Sequence, residues 1–177
     1  MGTAVKVCSV IGFPLGSNNR PSKVFEAMEA DKDGAEELDM VINLGALKES
    51  RWDEVKKEIS DVVTATPRVV HKVIIETCFL SDDEKKRICE IIIESDAEFV
   101  KTSTGYGPSG AKVKDIRLIK SIVGKRLKIK ASGGISALNK AISMIKVGAD
   151  TIGTSSGVSI MEEFIKATSL DAQWPSP

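Results

Sequence analysis

The chain has 177 residues, 42% of them apolar, with 25 Lys+Arg against 25 Asp+Glu and one histidine. That length suits one domain with a substantial core, and the balanced charge argues against nucleic acid or an anionic membrane as the main partner, so an anionic ligand needs a local site. No apolar run is long enough for a bilayer, the first six residues do not read as a signal peptide, and His71 alone excludes a multi-histidine metal site and disfavours a Ser-His-Asp triad. Cys8, Cys78 and Cys89 lack metal-like spacing and suggest reduced thiols in a cytoplasmic protein.

Residues 5–11 form an apolar run that stops at the turn signal Gly12-Phe13-Pro14-Leu15-Gly16. Pro21 then opens a helical pattern with Val24, Phe25 and Met28 on one face, closed by Gly34. Residues 38–43 read as the second strand, and Ser50 begins a helix with Trp52, Val55, Ile59 and Val62 at helical spacing. Residues 69–77 read as the third strand. Ser81 and Glu84 have the spacing of a capping box, ahead of Ile88, Ile91 and Ile92. The fourth strand, 99–103, carries Lys101 and runs into Thr104-Gly105-Tyr106-Gly107; a helix around Ile116, Ile119 and Ile122 ends at Gly124. The fifth strand, 127–132, ends in Gly133-Gly134, and Ser136 can cap the helix bearing Leu138, Ile142 and Ile145. A sixth strand at 151–154 leads through Ser155-Ser156-Gly157 into a last helix, and the tail 171–177 with two prolines reads as frayed, leaving residues 1–170 as one domain.

Six repeats of strand then helix predict a parallel sheet covered by helices, either doubly wound or a (β/α) barrel. No glycine fingerprint follows the first strand, so a dinucleotide fold has little support. A complete eight-unit barrel is typically ~250 residues, so as a barrel this chain is two units short.

Ligands of parallel α/β folds sit at the carboxyl ends of the strands. Asp39 lies on the second strand, Lys72 and Glu76 on the third, Lys101 on the fourth and Lys130 on the fifth. A lysine on an apolar strand either points to solvent at a sheet edge or must pair, lose its proton or do chemistry. Two such lysines change the balance. Lys130 beside Lys101 can depress its pKa and leave an amine able to attack carbonyls and form a Schiff base, with Asp39 moving protons. Gly133-Gly134 and Gly153-Thr154-Ser155-Ser156 each follow a strand and precede a helix, which fits a phosphate cradle as well as plain tight turns. Lys72 and Glu76 suggest an internal ion pair, the cysteines buried fillers or ordinary thiols rather than nucleophiles, and His71 a residue that packs or points outward.

With those residues in view the chain resembles the deoxyribose-phosphate aldolase family. The resemblance runs from Val5 to about Ile160 through Val10-Ile11-Gly12-Phe13-Pro14-Leu15-Gly16, Glu37-Leu38-Asp39-Met40-Val41-Ile42-Asn43, Lys72-Val73-Ile74-Ile75-Glu76-Thr77, Phe99-Val100-Lys101-Thr102-Ser103-Thr104-Gly105, Lys130-Ala131-Ser132-Gly133-Gly134-Ile135 and Ile152-Gly153-Thr154-Ser155. It implies an α/β fold of TIM (β/α)8 barrel type, here a set of six βα units without the family's first two. The implied activity is reversible cleavage of 2-deoxy-D-ribose 5-phosphate to D-glyceraldehyde 3-phosphate and acetaldehyde, in deoxyribonucleotide catabolism, with no metal or organic cofactor. By motif, Lys101 matches the Schiff-base lysine, Lys130 the lysine that lowers its pKa, and Asp39 the acid/base aspartate. Gly105, Gly133, Gly134, Gly153, Ser155 and Ser156 match the substrate-phosphate turns. Ser136 stands where many members have arginine. The missing units leave two strand edges unpaired, so a homodimer or larger homo-oligomer is one expectation, and a non-catalytic sugar-phosphate binder or assembly subunit is the competing reading.

Overall fold

The computed structural model describes residues 4–170, so the tail 171–177 lies outside the described residues. The chain order is β1 (Cys8–Ile11), α1 (Arg20–Lys32), β2 (Glu37–Val41), α2 (Leu44–Lys48), α3 (Trp52–Ala65), β3 (Val70–Ile74), a 3-10 turn (Thr77–Phe79), α4 (Asp82–Ile93), β4 (Phe99–Lys101), α5 (Val113–Val123), β5 (Lys128–Ser132), α6 (Leu138–Lys146), β6 (Thr151–Gly153) and α7 (Gly157–Leu170). All described strand pairs are parallel, and the sheet order is the chain order, β1 to β6. A doubly wound sheet reverses its order at a switch point. This one never does, which selects barrel-type winding, with β1 and β6 as its two edges.

Alternation along the strands splits the sheet into two chemically different faces. Leu38, Met40, Val73, Val100, Ile129 and Ala131 turn one way and join Ile59, Val62, Ile88, Ile116 and Ile119 of the helices in a single apolar core. The intervening positions Glu37, Asp39, Lys72, Lys101, Lys130 and Ser132 turn the other way. Parallel strands buried on both faces are normally apolar throughout. The polar inner set therefore marks where this sheet gives up core packing for a site.

Local chemistry explains most element ends. Asn19 Oδ1 accepts from Ser22 N and starts α1, and the Ser81/Glu84 capping box is formed in both directions at α4. Elsewhere the structure corrects the sequence reading. Asn43 caps a short α2 that the periodicity did not reveal, and Ser50 sits at φ 57° between it and α3 rather than starting a helix. The third strand stops at Ile74, because Glu76 turns left-handed at φ 47°, ψ 66°. Helix α6 takes Ala137, not Ser136, as its N-cap, with no side-chain cap bond. Helix α1 buries Lys23 and Ala27, while Phe25 and Met28 are exposed.

Lys23 replaces the expected apolar anchor. Its ammonium, fully buried, donates to Val41 O and to Glu58 Oε1, both at 2.8 Å, and Glu58 Oε2 accepts from Asn43 N at 2.9 Å. This ties α1, β2 and α3 together behind the sheet. Truncation as Lys23→Ala leaves a buried carboxylate without its cation and is expected to cost about 3–5 kcal/mol of stability, read by chemical denaturation.

Candidate active site

The parallel register sets the site. Asp39 of β2 lies opposite Lys72 of β3, and Lys101 of β4 opposite Lys130 of β5. All four turn inward, and Asp39 becomes the hub. Its Oδ2 accepts from Lys101 Nζ at 2.7 Å and from Lys130 Nζ at 2.6 Å, while Oδ1 lies 3.3 Å from Lys72 Nζ and accepts from the Cys8 thiol at 3.3 Å. Lys72 is also paired with Glu37, and its ammonium lies 5.7 Å from the Phe99 ring centroid. Asp39 and Lys72 are each 2% exposed and Lys101 7%, so these charges interact with little water between them.

Burial pushes the Asp39 pKa upward, but the ammonium groups of Lys101 and Lys130 outweigh it and hold the carboxyl below the usual carboxylate range. Asp39 is therefore ionised at neutral pH. Burial pushes Lys101 the other way, toward the free amine; Asp39 opposes this and the Lys130 charge adds to it, with a net lowering. From the sequence this lowering is expected of Lys130. In the structure Lys130 works in that direction, but desolvation on a closed apolar strand is the larger cause. Burial would also lower Lys72, yet Glu37 and Asp39 raise it overall, which makes it a fixed cation.

In front of the two lysines lies a cavity of about 470 Å³, within the usual range for small-molecule sites. Its lining brings together every other residue singled out in the sequence for phosphate: Gly105, Gly133, Gly134, Gly153, Ser155 and Ser156. Gly105, Gly133 and Gly134 all sit at positive φ. A Cβ on Gly153 would stand 2.8 Å from Ser132 Cβ and 3.2 Å from Lys130 Cε, so this glycine is what lets the Lys130 stem pass β6. The amino ends of α6 and α7 follow the two turns. One α6 amide, Leu138 N, is already bonded to Glu163 Oε2 at 2.8 Å, which leaves more of the anion-binding capacity to the turn after β6.

Several neighbours escaped the sequence reading. Cys8, read as a filler, sits against Asp39. Glu76 makes no pair with Lys72; its Oε2 accepts from Thr104 N at 3.1 Å and from the Thr104 hydroxyl instead. The signal for Lys72 was available, since parallel in-register strands put it beside Asp39 and Glu37. His71 faces away from the site. Its Nε2 lies 2.8 Å from Thr66 Oγ1, and that hydroxyl spends its own proton on Val62 O, so Nε2 is the donor. Burial lowers the His71 pKa and keeps the ring neutral.

Residues 3–163 match the family model of DeoC/LacD family aldolases. The chain belongs to the DeoC/LacD aldolase family. The deoxyribose-phosphate aldolase of Aquifex aeolicus is 56% identical over 162 residues, which cover 92% of this chain and 74% of the relative. Among solved structures, an aldolase named QR15 superposes with a TM-score of 0.92 at 54% identity, over 96% of this chain and 77% of that one. The tetrameric deoxyribose phosphate aldolase of Aeropyrum pernix superposes with a TM-score of 0.84 at 35% identity, over 92% and 69% of the two chains. Aldolases of the family thus share this chain's winding, and the chain spans about three quarters of the Aquifex relative. No helix among the described residues is long and apolar enough to cross a membrane.

Proposed function

We propose that this chain, with residues 1–170 as one aldolase domain, is a class I deoxyribose-phosphate aldolase using Lys101 as the Schiff-base amine. The observation that carries the reading is that one buried carboxylate oxygen receives both lysines that line a glycine-rich cavity. A protein that only bound or assembled around sugar phosphates would have no use for a desolvated amine beside a second cation, and the aldolase relatives do not favour that alternative.

In this mechanism the free amine of Lys101 adds to C1 of the open-chain sugar, and loss of water gives a protonated imine. Removal of the C3 hydroxyl proton breaks the C2–C3 bond. The electron pair moves to C2 and the imine becomes an enamine, as D-glyceraldehyde 3-phosphate leaves. Protonation at C2 and hydrolysis return acetaldehyde and the amine. The Asp39 carboxylate takes the C3 hydroxyl proton, with the Lys130 ammonium bonded to the same oxygen, and the protonated Asp39 returns that proton to C2 of the enamine, so Asp39 and Lys130 act as one relay. The turns after β5 and β6 hold the phosphate on backbone N–H groups and hydroxyls. The tetrameric Aeropyrum pernix aldolase supports self-association as part of this reading.

The direct test is reductive trapping. With acetaldehyde and borohydride the chain should gain an ethyl group on Lys101, located by peptide mapping; an adduct on another lysine, or none, would refute the assignment. Lys130→Met provides a second check. Its loss removes a repelling charge and leaves the Asp39 oxygen to Lys101 alone, and both changes favour the protonated amine. The acid limb of the trapping rate against pH should move to higher pH than in the parent chain.

A further inference from the structure

The chain beyond Lys101 runs into a loop whose shape is set by groups that touch neither lysine. Glu76, 2% exposed, is the residue that turns left-handed just past β3, a conformation costing on the order of 1–3 kcal/mol for a non-glycine residue. Its carboxylate takes both the amide and the hydroxyl of Thr104, and Thr104 Oγ1 in turn accepts from Tyr106 N at 3.0 Å. The bonds run one way, from Tyr106 through Thr104 to a buried anion. A charged acceptor makes the end of such a chain its strongest part. Tyr106 then lays its ring edge-on against Phe13 of the β1–α1 loop, with centroids 5.5 Å apart and planes at 83°. Thr104, Gly105 and Tyr106 line the cavity, yet Tyr106 is 77% exposed and fills no core.

This is an aromatic bridge between the loop after β1 and the loop after β4, fixed at the cavity's rim. A purely structural role accounts poorly for a strained, buried glutamate spent on positioning an exposed ring. We propose that Tyr106, braced by Phe13 and held through Thr104 by Glu76, sets the size limit on the acceptor aldehyde. Tyr106 and Phe13 are then specificity-determining, and Glu76 is a positioning residue. The inference rests on the aldolase reading above. The ring's face, not its hydroxyl, does the excluding.

The test compares two acceptors condensing with acetaldehyde, D-glyceraldehyde 3-phosphate and phenylacetaldehyde, whose rigid ring is wider than the sugar chain, by kcat/KM for each. In Tyr106→Ala the ratio of bulky to natural acceptor should rise about tenfold or more, the scale on which pocket size discriminates. Phe13→Leu, which removes the brace but keeps an apolar residue, should raise the ratio in the same direction. Tyr106→Phe should leave it where the parent has it. A ratio unchanged in both Tyr106→Ala and Phe13→Leu overturns the proposal, as does a rise in Tyr106→Phe equal to that in Tyr106→Ala. Borohydride trapping with acetaldehyde on the same preparations separates the two readings. An ethyl adduct with unchanged ratios sinks this inference alone, and no adduct in the parent chain removes the aldolase reading and this inference with it.

Discussion

Lys101→Ala is expected to lower kcat for cleavage of 2-deoxy-D-ribose 5-phosphate by on the order of 10⁴-fold or more, the effect of deleting a covalent nucleophile that acts as part of a unit. Borohydride trapping at the site should vanish with it. The neighbour cannot substitute. Lys130 reaches the same Asp39 oxygen, but from the neighbouring strand and with a more exposed side chain than Lys101. The fold should tolerate the change. Asp39 keeps Lys130 at 2.6 Å and Lys72 at 3.3 Å, so no buried anion is stranded. The pH dependence of stability gives an independent reading of the same amine. Folding lowers the Lys101 pKa below the ordinary lysine value, so between the folded and unfolded values the unfolded chain binds more protons. Stability therefore gains from this group as pH rises through that window, and carries a constant cost below it. Lys101→Ala should remove both, so denaturation measured against pH loses the gain over that window. Full turnover in this variant, measured by acetaldehyde release, would end the Schiff-base assignment.

How much of this was legible beforehand follows from what each signal depends on. Strand and helix alternation depends on local periodicity, and all six strands were found from it. Inward placement of Asp39, Lys101 and Lys130 depends only on the two-residue repeat of a strand and on neighbouring strands being parallel. Both are properties of short stretches, and both carried through. The failures lie where a long-range partner decides. Lys23 is polar, so the helix α1 stripe was drawn through Phe25 and Met28; a carboxylate on α3, 35 residues away, is what makes its burial possible. Glu76 was paired with Lys72 because both sit on one predicted strand. The left-handed turn after Ile74 moves it to the next loop, where Thr104 takes it, and no propensity foretells a glutamate in that conformation. Cys8 looked like filler since a thiol's role depends on what faces it across a register of parallel strands. The placement of the carboxylate and lysines that meet beside the cavity was thus readable, while the partners of Glu76 and Cys8 were not.

Asp39→Asn should separate amine formation from turnover. The carboxylate is the chief counter-charge holding the proton on Lys101, opposing both burial and Lys130. An asparagine carbonyl still accepts one hydrogen bond but carries no charge, so Lys101 should lose its proton more readily than in the parent. Trapping with acetaldehyde should persist, with its acid limb moved to lower pH. Cleavage of the sugar phosphate should nevertheless fall by on the order of 10²- to 10⁴-fold, the usual contribution of a positioned proton-transfer group. Lys72 retains Glu37, so the cations are not all left bare, and the stability loss should stay near or below the ~3–5 kcal/mol typical of a broken buried pair. The two activities moving in opposite directions is what the relay demands. If trapping and turnover collapse together while the fold survives, Asp39 serves to assemble the lysines, and the protons must travel by another group on the cavity wall.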